Sequence, residues 1–219
     1  EWLLVSGGAE NLVRAWTLPQ SAPARLASSL PTLQQLVVSA DRRFIAMSAA
    51  DGTVRVVSAT DDKEVATWML DQGAPAAMAL LVDHVAIAAA SGNAEALAAL
   101  VPQLVTTSVD GRISVWRVSE KQLVASCAGG TVAATAVATA ADGKQLVSGL
   151  ENGGISLWSL APAQTVPFEG TTGAAAAGIV VNPSRKLAAV AGVADGKPVV
   201  FVRNLDNGQL VHTLAGHTA

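Results

Sequence analysis

The stretch Leu-Val-Thr-Thr-Ser-Val-Asp-Gly-Arg-Ile-Ser-Val-Trp-Arg-Val at 104–118 sets two apolar, β-branched runs on either side of an Asp-Gly turn, which is an antiparallel hairpin written in sequence. The same hairpin returns along the chain. Aligned on the turn, it occupies Leu3 to Trp16, Ile45 to Val57, Leu104 to Trp116, Leu146 to Trp158 and Leu187 to Phe201. In each copy an acidic or amide residue stands six positions before a large or branched apolar one: Glu10 with Trp16, Asp51 with Val57, Asp110 with Trp116, Asn152 with Trp158, Asp195 with Phe201. The apolar anchors are 41, 59, 42 and 43 residues apart. Three of these intervals match the length of one four-stranded propeller blade.

These units resemble the tryptophan-aspartate (WD) repeat family. Asp-Gly-Thr-Val-Arg-Val at 51–56 is close to the family's turn, and Leu-Ala-Gly-His at 214–217 resembles the Gly-His pair that opens a family blade. The resemblance implies an all-β propeller of about five blades, each of four antiparallel strands, with the first blade incomplete. It also implies a structural turn at Glu10, Asp51, Asp110, Asn152 and Asp195, and a blade anchor at Trp16, Val57, Trp116, Trp158 and Phe201. The sequence departs from the family in that Thr17, Ser58, Arg117, Ser159 and Val202 follow the anchors where Asp is usual, and only one Gly-His pair exists. The family's buried network of His, turn Asp, strand Ser or Thr, and Trp is therefore not assumed in every unit.

The expected blades are 1–30, 31–71, 72–128, 129–169 and 170–214, with 215–219 starting another. A C-terminal stub at 216–219 can pair beside Leu3 to Val5 and close a five-bladed ring, or the chain can be part of a larger propeller; Gly216-His217 points to the second. The third unit is irregular. Its first-to-second turn spacing is 27 residues (Asp83 to Asp110), against 10 from Asp41 to Asp51 and 10 from Asp142 to Asn152. The insertion at 91–102 reads as a short helix over 93–101, stopped at Pro102. It is either a tolerated surface loop or a docking element.

Apolar residues make up 51% and charged residues 14% of the 219, so the chain buries most of itself, and it does so with small and branched side chains because it has no Tyr and three Phe. A net charge of −3 supplies no global basic field for nucleic acid. The uncharged run 123–141 contains Gly129 and Gly130 and lies in the repeat register, so no membrane insertion is expected. One cysteine, Cys127, forms no internal disulfide and fits an intracellular compartment, with the bacterial periplasm as the alternative.

Catalytic constellations are missing from the sequence. His84 reads as a turn residue, His212 as an edge-strand residue and His217 as the family's structural His; none has zinc spacing with Cys127, itself read as a buried small hydrophobe. The glycines of Gly192 to Pro198 are too closely spaced for a phosphate loop, and Pro198 stands where a hydroxyl is needed. Gly153-Gly154 reads as a turn that needs left-handed backbone. No cofactor and no metal are expected.

Turn charges divide between the two ends of the sheets. Arg42, Arg43, Lys144, Arg185 and Lys186 collect at one end, mixed with Asp61, Asp62, Glu64 and Glu120. Glu10, Asp51, Asp110, Glu151 and Asp195 ring the other, either capping their own turns or forming a partner-binding rim for a basic or extended peptide. The expected function is a non-catalytic protein–protein interaction scaffold, with self-association through open blade edges as a further expectation. The alternative is an accessory propeller of a multidomain enzyme or electron-transfer protein. A small ligand in a central channel is disfavoured by the apolar inner strands.

Overall fold

Short alternating strands joined by short turns pair with their sequence neighbours, and every sheet in the computed structural model is built that way, with connections of two to five residues within a sheet apart from the 21 residues between Leu81 and Gln103. The structure describes residues 2–7, 13–18, 24–26, 30, 32–128, 132–140, 143–160, 163–171, 176–182 and 186–216, with backbone alone at 2–7, 13–18, 24–26, 84, 85, 98, 128 and 163–171. Sheet I contains β1 (Trp2–Gly7), β2 (Val13–Leu18) and β3 (Ala24–Leu26). Sheet II contains β4 (Leu33–Val38), β5 (Phe44–Ala49), β6 (Thr53–Ser58) and β7 (Glu64–Met69). Sheet III contains β8 (Ala77–Leu81), β9 (Gln103–Thr107), β10 (Arg112–Arg117) and β11 (Gln122–Ala128), with helices α1 (His84–Ala89) and α2 (Ala94–Ala99) between its first two strands. Sheet IV contains β12 (Ala134–Thr139), β13 (Gln145–Leu150), β14 (Gly154–Leu160) and β15 (Ala163–Thr171). Sheet V contains β16 (Gly178–Asn182), β17 (Leu187–Ala194), β18 (Lys197–Asn204) and β19 (Leu210–Ala215). The fold is built on β-strands, and every strand pair among the described residues is antiparallel.

The sheets stack face to face in chain order because alternate residues of each strand serve alternate faces. In sheet II, Phe44, Ala46, Val54 and Val56 pack with Met78, Leu80 and Leu104 of sheet III, while Ile45, Met47 and Val57 belong to a separate cluster on the opposite face, with Leu30. In sheet III, Val105, Ile113 and Val115 pack with Leu146 and Trp158 of sheet IV. Val147, Ile155 and Leu157 in turn meet Ile179, Ala188 and Val190 of sheet V. Gly149 permits the last approach: a Cβ there would sit 2.3 Å from that of Ala176. The first strands β4, β8, β12 and β16 together line one apolar cavity of about 320 Å³, with Val38, Ala79, Ala138 and Val180 on its wall. Val180 is 71% exposed, so the wall is open on the sheet V side.

Polar stitches tie neighbouring sheets at their ends. The Gln35 amide donates to the carbonyls of Pro75 (3.1 Å) and Ala76 (2.5 Å), the Thr107 hydroxyl to that of Ala134 (2.6 Å), and the Thr135 hydroxyl to that of Ala176 (3.0 Å).

The structure departs from the sequence expectations at several points. His84 is not in a strand turn; it opens α1, because the Asp83 carboxylate accepts from the Ala86 N–H at 3.0 Å and caps a helix. The departure from strand structure therefore begins well before 91, and both helices lie in the connection from β8 to β9. Of Gly153 and Gly154, only Gly153 is left-handed (φ 80°); Gly154 opens β14 and is small because a Cβ would press on Asn152 and Leu150. The apolar run 123–141 contributes to β11 and β12, and no helix among the described residues is long and apolar enough to cross a membrane.

Candidate interaction face

The hairpin turns at one end of the sheets are built by their own acidic and amide side chains. Asp51 Oδ1 accepts from the Thr53 N–H at 2.8 Å, Asp110 Oδ1 from the Arg112 N–H at 3.2 Å, and Asn152 Oδ1 from the Gly154 N–H at 2.9 Å. The following Gly52, Gly111 and Gly153 take left-handed φ of 89°, 76° and 80°, the usual end of a three-residue hairpin loop. The Asp195 turn has a different form. Asp195 and Gly196 are both left-handed (φ 52° and 73°) and alone connect β17 to β18, so Asp195 is one of two central turn residues, with no side-chain cap. Glu10 lies outside the described residues.

The caps hold charge on this end. The Thr53 N–H keeps the Asp51 carboxyl below its ordinary pKa, and the Ser108 hydroxyl, followed by the Arg112 N–H, does the same for Asp110. Glu151 and Asp195 are exposed, and among the described residues neither forms an ion pair. The opposite end carries its charges differently. Arg43, expected at this end among charges of both signs, pairs with Asp41 at 2.6 Å and lies with its guanidinium carbon 5.0 Å from the Phe44 ring centroid. It also donates to the Leu97 (2.5 Å) and Leu100 (2.9 Å) carbonyls at the end of α2. Lys186 pairs with Asp206 at 2.9 Å, and Arg185 lies outside the described residues.

The five anchors occupy equivalent ladder positions. Trp16 pairs with Leu4, Val57 with Ile45, Trp116 with Leu104, Trp158 with Leu146 and Phe201 with Val190. Val57, Trp158 and Phe201 are buried, and Trp116 is half-buried against Trp68. Two anchors carry a hydrogen bond that sequence reasoning did not locate: Trp116 Nε1 donates to Thr106 Oγ1 at 2.9 Å, and Trp158 Nε1 to Ser148 Oγ at 2.8 Å. The signal was present, since each anchor Trp has a hydroxyl residue ten positions earlier (Ser6, Thr106, Ser148). The unit with Val57 has Met47 there instead.

Among the described residues, His84, His212 and Cys127 do not converge on one site. His212 is exposed on β19, His84 begins α1, and His217 lies outside the described residues. Burial pushes the Cys127 thiol up, away from reactive thiolate. Among the described residues no group of three or more His, Cys, Asp or Glu is placed to hold a metal ion.

No protein-family model matches the chain, and no curated protein does. Its shape is similar to that of the computationally designed Ika8 protein, with a TM-score of 0.70 and 21% identity over 99% of this chain. The chain spans about 60% of the length of that protein. At this identity the likeness is one of fold alone, and since 1472 solved chains match, so common a shape brings no activity with it.

Proposed function

We propose that the chain is a propeller module of the WD-repeat type, with five blades of which the first is incomplete, forming part of a larger propeller. In this reading it is a non-catalytic scaffold that binds protein partners. The observation that carries it is the arrangement of the hairpin turns: consecutive sheets packed face to face present Asp51, Asp110, Glu151 and Asp195 at one end. Charged groups held on a stiff support, with no side chains gathered for bond making among the described residues, suit recognition better than catalysis. The acidic end selects a basic or extended segment of the partner.

The test is capture of partners by the intact chain, compared with a variant carrying Glu151→Lys and Asp195→Lys. Both residues are exposed, so the variant is expected to fold and to lose the partners retained by the parent. Partners held equally by both proteins would remove the acidic rim from the reading.

A further inference from the structure

Between sheets II and III, at the acidic end, lies a cleft of about 180 Å³. At about 30 Å³ per water molecule it has room for roughly six waters, or one amino-acid side chain. Its floor is Trp116 and Ser114, its sides are Leu70, Pro75 and Leu123, and its rim carries Asp71 and Gln72 on one lip and Ser108 and Arg112 on the other. The cleft exists because Arg112, Ser114 and Trp116 share one face of β10: Ser114 is too short to fill the gap towards sheet II as Trp116 does, and the Arg112 side chain is about half exposed at the mouth.

The lip at 71–75 is fixed in place. The Leu70 N–H donates to the Gly52 carbonyl at 3.0 Å, the Gly73 N–H to that of Leu70 at 3.2 Å, and the Ala76 N–H to that of Thr107 at 2.8 Å. The Gln35 amide holds Pro75 and Ala76 from below. The space is therefore preformed, and a ligand entering it need not order a loop.

The chemistry of the interior defines what fits. Ser114 is 3% exposed, the Trp116 N–H is already satisfied by Thr106, and the two charged lining residues, Asp71 and Arg112, are exposed ones at the mouth. A charged tip entering there would lose its water without gaining a counter-ion. The rim has the opposite character. Asp71 lines one lip, and Asp110, in the turn beside the other, has Arg112 within 3.8 Å; across all the described turns at this end, beyond the cleft itself, Asp51, Asp71, Asp110, Glu151 and Asp195 outweigh Arg112 and Lys197.

We infer that this cleft takes one uncharged side chain of an extended peptide segment that carries Lys or Arg beside it. The inserted side chain lies on Trp116 between Leu70 and Leu123, and the flanking cations face Asp71 and Asp110. This rests on the scaffold reading and gives it a binding position.

Selection of displayed random peptides on the intact chain tests it. Enriched peptides are expected to share an uncharged residue next to Lys or Arg, and to lose at least about tenfold in affinity, or about 1.4 kcal/mol, on Gln72→Trp, which roofs the mouth from an exposed position, and on Ser114→Trp, which fills the floor. Gln72→Trp leaves the core untouched, so the outcome stands even if Ser114→Trp does not fold. Peptides that bind Gln72→Trp within roughly twofold of the parent would overturn the cleft and leave the scaffold intact. Failure to enrich any peptide, with partner capture retained, would also overturn the cleft; failure of both would overturn the scaffold as well.

Discussion

The bond from Trp158 to Ser148 shows how one residue choice constrains another. Ser148 is fully buried and Trp158 is 2% exposed, so the hydroxyl has no access to water to replace the indole N–H. Where the anchor is Val57, the position ten residues earlier is Met47, and both are fully buried in one apolar cluster. The polar pair has been exchanged as a pair, which avoids an orphaned donor. Ser148→Ala is therefore expected to destabilise the fold by about 1–3 kcal/mol in urea unfolding, because it strands a buried N–H. Adding Trp158→Phe is expected to cost less than the sum of the two single changes, since the stranded donor disappears with the indole.

Helix α2 has only six residues, too few to be stable alone, and its ends are held from both sides. Asn93 caps the start, accepting from the Ala96 N–H at 3.0 Å, while Arg43 of the neighbouring sheet holds the last carbonyls. The sequence announced this helix through its helix formers and Pro102, but the clamp joins residues more than fifty positions apart and has no local signature. The cap of α1 was legible at Asp83 and was masked by the expectation of a strand turn at that point in the repeat. Arg43→Ala is expected to lower the opening free energy of 94–100 by about 1.5–3 kcal/mol in amide hydrogen exchange, the worth of hydrogen bonds to a charged group. Exchange in β5 and β6 should remain near that of the parent.

Across the whole molecule, turn carboxylates couple folding to acid. The Lys63 ammonium, followed by the Ser58 hydroxyl, holds the Asp61 carboxyl at about 2, against 3.8 for the free side chain. At Asp41 burial pushes the carboxyl up, but hydrogen bonds from Ser39 and Arg43 outweigh it and leave the pKa lowered; Asp51 and Asp110 are lowered too. A folded-state pKa below the unfolded value means that the folded state binds its proton less readily. Their contribution is thus complete well above the unfolded value of 3.8, from about pH 5 upwards, and disappears as pH falls through the folded values towards about 2. Thermal midpoints from these groups are expected to be level from neutrality to about pH 5 and to fall below it. Lys63→Met should reduce the part of that decline that belongs to Asp61.

By itself the sequence determined the hairpins, their spacing and the acidic caps, because each depends on residues within a few positions of one another: alternation sets the faces, and Asp or Asn with Gly sets the turn. It also marked the third unit as the irregular one. Only the tertiary structure decided which polar side chains are consumed inside the fold and which remain available. Arg43 looks like a surface cation until α2 is seen beneath it, and Ser114 looks like any strand residue until sheet II is placed opposite. Both outcomes depend on the distance between sheets, which is fixed by side chains far apart in the chain and is carried by no local pattern.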